Sequence, residues 1–350
     1  MGGRAEEDFT FNDVFVTRNS TDRLQFHGYV AFEYADAQGA KPGGNRTFDM
    51  TVFEPFFGYQ VADKVFAKII IEFEHAPEKT SGDSVEVSVE QAEIDITPWV
   101  GTNLGFGAIL VPFGLENYFH SPSDNRLISR PPLAKEGPNG NTILNNTWTD
   151  VGIQVTQEIP KIGILDLYTI NGSAVQNEDN RGRDITGPNA NNGKSFGAEI
   201  QVTKLYPGVN VGASYITGPY DPNDQLNSSR WGIHALIDTG MIYFQGEYLG
   251  GTDEGLGASG GDRDMSGYYA LISFTPPLGF LENRLDLNLR HTDWTADKSA
   301  KNDFGETAFG VRFRPYPNTW VKGEYQINKE KGSNTKVDNN VAAFQLSVLF

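Results

Sequence analysis

The residues of this sequence that could do chemistry are charged side chains, and they recur in short segments along the whole chain. The basic residues that share the water-facing parity of their segments are Lys64, Lys68, Arg290, Arg312, Arg314 and Lys322. A segment in the first half of the chain adds Glu116, Asp124, Arg126 and Arg130. None of these sets has the spacing of a nucleophile with its base, so we expect no enzyme activity. Basic and acidic groups facing one another across a water-filled space would act instead on the charge and dipole of passing solutes.

Metal binding and cofactor binding have weaker support in the sequence. The five histidines are dispersed, without the paired spacing of a zinc site. Asp253, Asp262 and Asp264 lie close together and could bind Ca²⁺ in an external loop, although their spacing is not that of an EF-hand. The alternative is an exposed acidic loop without a metal. We expect no other cofactor.

The elements that must position these groups are strands of period two. In residues 64–74, KVFAKIIIEFE, the odd positions are apolar and the even positions include Lys68, Glu72 and Glu74. Such alternation predicts a strand with one face in an apolar medium and the other in water. A phase slip near Gln91, in the next predicted strand, indicates a β-bulge.

The same alternation recurs to the end of the chain in about sixteen segments of roughly ten residues, the length of a tilted membrane strand. Short connections alternate with long polar ones, as they do in outer-membrane barrels. No helical segments are predicted that could cover the apolar faces, so the sheet must close on itself. We expect the last strand to pair with residues 24–34. Aromatic residues near strand ends are expected at the two membrane interfaces: Trp99, Trp148, Tyr206, Trp231, Tyr316 and Trp320.

Composition narrows the class of protein further. The net charge of −17 argues against a nucleic-acid partner. The absence of cysteine excludes thiol chemistry and is compatible with an oxidising compartment. The sequence therefore predicts an all-β protein, a transmembrane antiparallel up-and-down barrel, with residues 1–22 as an N-terminal periplasmic segment and residues 23–350 as a single barrel.

Residues 108–131, AILVPFGLENYFHSPSDNRLISRP, carry a resemblance to a known family. The VPFG turn and the later Arg130–Pro131 pair resemble the strand and the inward-folded constriction loop of the phosphate-selective porins O and P. The resemblance extends more loosely over most of the chain. It implies a homotrimer of sixteen-stranded barrels, a pore for passive diffusion, and a constriction loop here at residues 113–147. The dense arginine ladder of the phosphate-preferring members has no counterpart, and Lys135 is the only lysine of the loop.

We therefore expect a porin of the Gram-negative outer membrane, in contact with membrane lipid and lipopolysaccharide, through which small hydrophilic or charged solutes diffuse. The six basic residues would form one wall of the pore, with Arg126 and Arg130 narrowing it. Replacing these two arginines should shift selectivity towards cations. The alternative is a plugged barrel that acts as a surface binding or structural protein.

Overall fold

The computed structural model describes residues 23–38, 46–75, 86–134, 143–144, 147–172, 193–221, 223–258, 260–281 and 284–350. The predicted periplasmic segment, residues 1–22, lies outside the described residues, as does Lys135. The described chain forms sixteen strands: β1 Leu24–Ala37, β2 Arg46–Ala62, β3 Val65–Glu74, β4 Glu86–Ile96, β5 Thr102–Leu110, β6 Thr149–Ile159, β7 Gly163–Ile170, β8 Ser195–Val202, β9 Val209–Pro219, β10 Asn227–Asp238, β11 Ile242–Asp253, β12 Arg263–Phe274, β13 Leu285–Asp297, β14 Asn302–Tyr316, β15 Thr319–Gly332 and β16 Val341–Leu349.

These strands make one closed antiparallel barrel in which each strand pairs with its neighbours in sequence. Strands β1 and β16 close it, with Tyr29 opposite Leu349 and Ala37 opposite Val341. The amide and carbonyl of Phe350 both bond to Gly28, at 2.8 and 3.0 Å. Closure satisfies the backbone groups that a sheet edge would leave unpaired. The predicted fold class and the pairing of the last strand with the first are confirmed.

The two faces of the barrel differ in chemistry as the alternation predicts. On β15, Tyr325 is 40% exposed, whereas its neighbours Glu324 and Gln326 are buried. On β10, Ile233 is 56% exposed beside buried His234. The outer face is therefore apolar and the inner face polar, the arrangement of a barrel set in lipid.

The short connections lie on one rim and most long ones on the other. Two residues join β2 to β3, and two join β14 to β15. The connection between β13 and β14 is shorter than predicted: because both strands extend further than their alternation indicates, residues 298–301 alone separate them. Helical structure in the described chain is limited to short 3-10 turns such as Pro132–Ala134. No helix of the described chain is long and apolar enough to cross a bilayer.

The aromatic residues divide between the two faces. Trp99, Tyr206 and Tyr316 are more than 60% exposed, and Trp231 is 40% exposed, as an interface position requires. Trp148 and Trp320 are buried, contrary to the prediction. The Trp320 ring lies 5.4 Å below the Arg312 guanidinium, so its place near a strand end does not make it a lipid-facing residue.

Candidate pore and inner segment

Residues 111–134, which follow β5 and which we call the inner segment, lie inside the barrel. Backbone amides of this segment donate to carboxylates on widely separated strands: Gly114 N to Glu199 on β8 at 2.9 Å, Glu116 N to Glu247 on β11 at 2.7 Å, and Ser129 N to Glu324 on β15 at 3.0 Å. A segment that reaches all three strands of a closed barrel can only run through its interior. The wall carboxylates satisfy amides that irregular backbone leaves unpaired.

Apolar packing inside the barrel holds the segment as well. Phe113 and Leu133, both fully buried, join a cluster with Ile216 and Trp294 of the wall. Leu127 lies against Gly310 of β14, where an added Cβ would come within 2.3 Å of its Cδ2. The inner segment is therefore packed against the barrel wall at β9, β13 and β14.

Three of the predicted basic wall residues bind the inner segment. Lys322 Nζ donates to the carbonyls of Pro122 (2.6 Å) and Leu127 (3.1 Å). Arg290 donates to the carbonyl of Ser129, and Arg312 to that of Ser123 at 3.0 Å. Arg290 also pairs with Glu306 at 2.7 Å. Arg290 and Lys322 are each 1% exposed, so these two cations anchor a loop instead of standing in open water.

Of the other three predicted wall residues, two lie at a rim and one lies on the inner face. Lys64 precedes β3, is exposed, and donates to the carbonyl of Pro98 at 2.8 Å, which places it on the rim of the short turns. Arg314 is exposed at the same rim, because a register shift after Phe313 interrupts the strand parity. Lys68 does lie on the inner face, where it pairs with carboxylates of β4. The predicted continuous basic wall is therefore not formed.

The charged residues of the inner segment divide into a buried pair and a more open pair. Arg130 Nε lies 3.0 Å from Glu116 Oε1, and both side chains are nearly buried. Burial raises the pKa of Glu116 above its usual value, although the Arg130 guanidinium acts in the opposite direction. Arg126 is more open, with its guanidinium 3.8 Å above the Tyr243 ring. Asp124 is exposed and accepts a hydrogen bond from Ser121 Oγ, so Arg126 and Asp124 are more accessible than the Arg130–Glu116 pair.

The suggested calcium ligands do not form a metal site. Asp253 is fully buried between two guanidiniums, Arg230 at 2.8 Å and Arg263 at 2.6 Å, which already neutralise it. Asp262 accepts the amide of Gly255, and Asp264 accepts the hydroxyl of Thr252. Asp253 is therefore the shared anion of two ion pairs near the ends of β10, β11 and β12. The spacing of the aspartates in the sequence could not predict that Arg230 of β10 pairs with it.

A cluster of two carboxylates and a histidine that the sequence did not predict lies where the inner segment meets β2 and β4. Glu54 of β2, Glu90 of β4 and His120 of the inner segment bring one ligand atom each to within 4.8 Å of one another. Among the described residues this is the cluster of at least three His, Asp or Glu side chains that could hold a metal ion. Dispersed in sequence, the three meet because the inner segment folds into the barrel. The bulge predicted near Gln91 was the one feature of the sequence that marked this part of the wall as irregular.

Comparison with known proteins agrees with this architecture. A sequence model of the family described as "Phosphate-selective porin O and P" matches residues 57–280. A protein of Aquifex aeolicus (strain VF5), described as uncharacterized, is 28% identical over 359 residues, which cover 92% of this chain and 79% of that protein.

Solved structures of outer-membrane proteins are similar in fold. OmpT of Vibrio cholerae, in its trimer form, covers 93% of this chain and 99% of its own, with a TM-score of 0.60 and 11% identity. Salmonella typhi OmpF in complex with daunomycin covers 93% of this chain and 97% of its own, with a TM-score of 0.64 and 12% identity. At such identities the likeness extends to the fold.

Proposed function

This chain belongs to the phosphate-selective porin O and P family, and we propose that it forms a water-filled channel for passive diffusion of small hydrophilic solutes across the outer membrane. The observation that carries the proposal is the closed barrel with an apolar outer face and a polar inner face. A polar inner face is what an aqueous channel requires. The barrel is a component of the bacterial outer membrane and a channel protein rather than an enzyme.

We infer that the channel prefers cations, and that the family description does not extend to a phosphate preference here. Buried carboxylates outnumber buried cations among the described residues, in which Arg290 and Lys322 are the buried Lys and Arg side chains. Both cations donate to carbonyls of the inner segment and are only 1% exposed, so they are not open to a passing anion. An anion would lack the ladder of free guanidiniums that phosphate requires.

The narrowest part of the channel is proposed to lie beside the inner segment, at Arg126 and Asp124. Arg126 approaches Asp286 at 3.5 Å and Asp238 at 3.9 Å, and its side chain is 18% exposed. Selectivity depends on the charges at the narrowest point more than on their sum over the whole protein. A homotrimer with lipid and lipopolysaccharide around it is proposed from family membership and from the trimer form of the OmpT structure.

One observation favours the alternative of a plugged barrel. The inner segment contacts β4 through His120, β8 through Glu199 and β15 through Glu324, so it reaches far round the lumen. In that case the long connections would bind a partner at the cell surface, and no solute would pass.

Liposome swelling distinguishes the two functions. Purified protein is reconstituted into vesicles, which are diluted into iso-osmotic solutions of uncharged sugars of increasing size. A porin should give swelling rates that fall steadily with sugar mass, and charged solutes of equal size should differ in the direction of cation preference. Swelling no faster than in protein-free vesicles for the smallest sugar would support the plugged barrel and contradict the porin.

A further inference from the structure

We propose that Glu54, Glu90 and His120 form a binding site for a divalent transition-metal ion, best suited to Zn²⁺, which fastens the inner segment to the wall. Their ligand atoms lie within 4.8 Å of one another. Two of the ligands come from strands β2 and β4, and the third comes from the inner segment. The site does not depend on whether the barrel conducts solutes.

The hydrogen bonding of His120 prepares its ring for a metal. Nδ1 lies 2.8 Å from the carbonyl oxygen of Asn117, which can only accept, so Nδ1 carries the hydrogen. That leaves Nε2, which lies 3.1 Å from Glu90 Oε1, as the ring nitrogen able to bind a metal. Metal-binding histidines usually donate their other ring N–H to a carbonyl or a carboxylate in this way.

The distance between the two groups has the size expected of neighbouring zinc ligands. Two ligands at ~2.0–2.1 Å from a tetrahedral Zn²⁺ are ~3.3 Å apart. The 3.1 Å between Nε2 of His120 and Oε1 of Glu90 is close to that spacing. A metal ion bound between these two atoms would replace a ring proton there and attract both of them.

Strand β4 is shaped to present Glu90 to the site. In the pairing with β3, Ile71 lies opposite Val89 and Ile70 lies opposite Gln91, so Glu90 is an extra residue in the ladder. Glu90 follows the exposed Val89 and faces inward, where it is 1% exposed, and the bulge brings the next residue, Gln91, to the inner face beside it, where it is 6% exposed. The same bulge was predicted from the phase slip in the sequence.

Glu54 is also held in place. The hydroxyl of Tyr29 donates to Glu54 Oε2 at 2.5 Å, and Glu54 is 5% exposed. Two buried carboxylates that converge on one imidazole carry negative charge in a poorly solvated place, where charge must be compensated. A divalent cation compensates both carboxylates.

The donor set selects the class of metal. One imidazole nitrogen with two carboxylate oxygens suits Zn²⁺ and its first-row neighbours, whereas Ca²⁺ and Mg²⁺ are bound by oxygen ligands. Three protein ligands leave one position of a tetrahedral Zn²⁺ for water.

The test is equilibrium binding of Zn²⁺ to the chelator-treated, folded barrel in detergent, measured by competition with a chromophoric zinc chelator. We expect one high-affinity ion per chain. His120→Asn and Glu90→Gln should each weaken binding at least ~10-fold, and Tyr29→Phe, which alters only the positioning of Glu54, should weaken it ~10-fold, in line with losses seen for outer-shell partners. Heat modifiability on gels establishes that each variant is folded.

The matched control is His291→Asn, which removes a histidine exposed on the outer face. It should bind Zn²⁺ as the wild type does, and excess Ca²⁺ should not compete. Tetrahedral cobalt absorption after Co²⁺ addition, lost in His120→Asn, would support the assigned ligands. Equal Zn²⁺ affinity in the wild type and in folded His120→Asn and Glu90→Gln would overturn the proposal and identify an adventitious ion only.

Discussion

The strongest structural test of how the inner segment is held is the change Glu324→Ala on β15. Glu324 accepts the amide hydrogens of Ile128 and Ser129, the latter at 3.0 Å, and also the hydroxyl of Ser129. Hydrogen bonds to a charged group contribute about 1.5–3 kcal/mol each. Because bonds that share one acceptor are not additive, we take about 3 kcal/mol as the expected loss for all three.

A loss of about 3 kcal/mol raises the equilibrium constant for local opening roughly 100-fold, since about 1.4 kcal/mol corresponds to a factor of ten. Amide hydrogen exchange of the peptide covering residues 121–131, measured in detergent by mass spectrometry, reports this opening directly. Exchange there should accelerate by about that factor, while exchange in the barrel strands stays unchanged.

Glu330→Ala is the matched control, because Glu330 lies on the same strand but binds Asn339 of the next connection at 2.7 Å. It should alter exchange near residues 337–340 and leave residues 121–131 unchanged. Unaltered exchange of residues 121–131 in Glu324→Ala, or an equal increase in both variants, would refute the reasoning that wall carboxylates anchor the segment.

Three further predictions concern the pore and the external rim. Arg126→Ala should move the reversal potential in a salt gradient towards cation selectivity. Arg130→Ala should move it less, because Glu116, 3.0 Å away, already compensates the charge of Arg130, and equal shifts would contradict this. Asp253→Asn leaves the nearly buried guanidinium of Arg230 and the partly exposed one of Arg263 without their anion, and should cost about 3 kcal/mol. The midpoint temperature of heat modifiability should fall in this variant, and added Ca²⁺ should not change it in the wild type. The backbone amides of Leu226, Asn223 and Gln225 lower the pKa of Asp221, so the turn held by these bonds should be stable above the usual aspartate pKa and be lost as pH falls through the lowered value. Pepsin cleavage near this turn should show the acid step in the wild type and not in Asp221→Asn.

The strands were predictable because their signal is local. Alternation of period two identifies the face of each side chain, and closure follows once apolar faces have no helices to cover them. The bulge at Glu90 was predictable for the same reason, since a phase slip is visible in the sequence. Trp320 was misassigned because its position near a strand end does not determine the side to which it points.

The partners of the charged residues were not predictable, because they come from distant parts of the chain. Parity correctly places Lys322 on the inner face, but its partner Pro122 is 200 residues away in sequence. Likewise nothing near His120 indicates Glu54, which meets it only after residues 111–134 enter the barrel. The family resemblance predicted that a loop folds inward, but it did not predict which wall side chains, such as Glu324 and Lys322, bind that loop.

The central claim, that the barrel conducts, is tested most directly by single-channel recording in planar bilayers with purified protein. We expect stepwise insertions with ohmic current, in steps of three if the trimer conducts as a unit, and a reversal potential of cationic sign in a KCl gradient. Repeated insertion of correctly folded protein without any open-channel current would contradict the account and favour a plugged barrel.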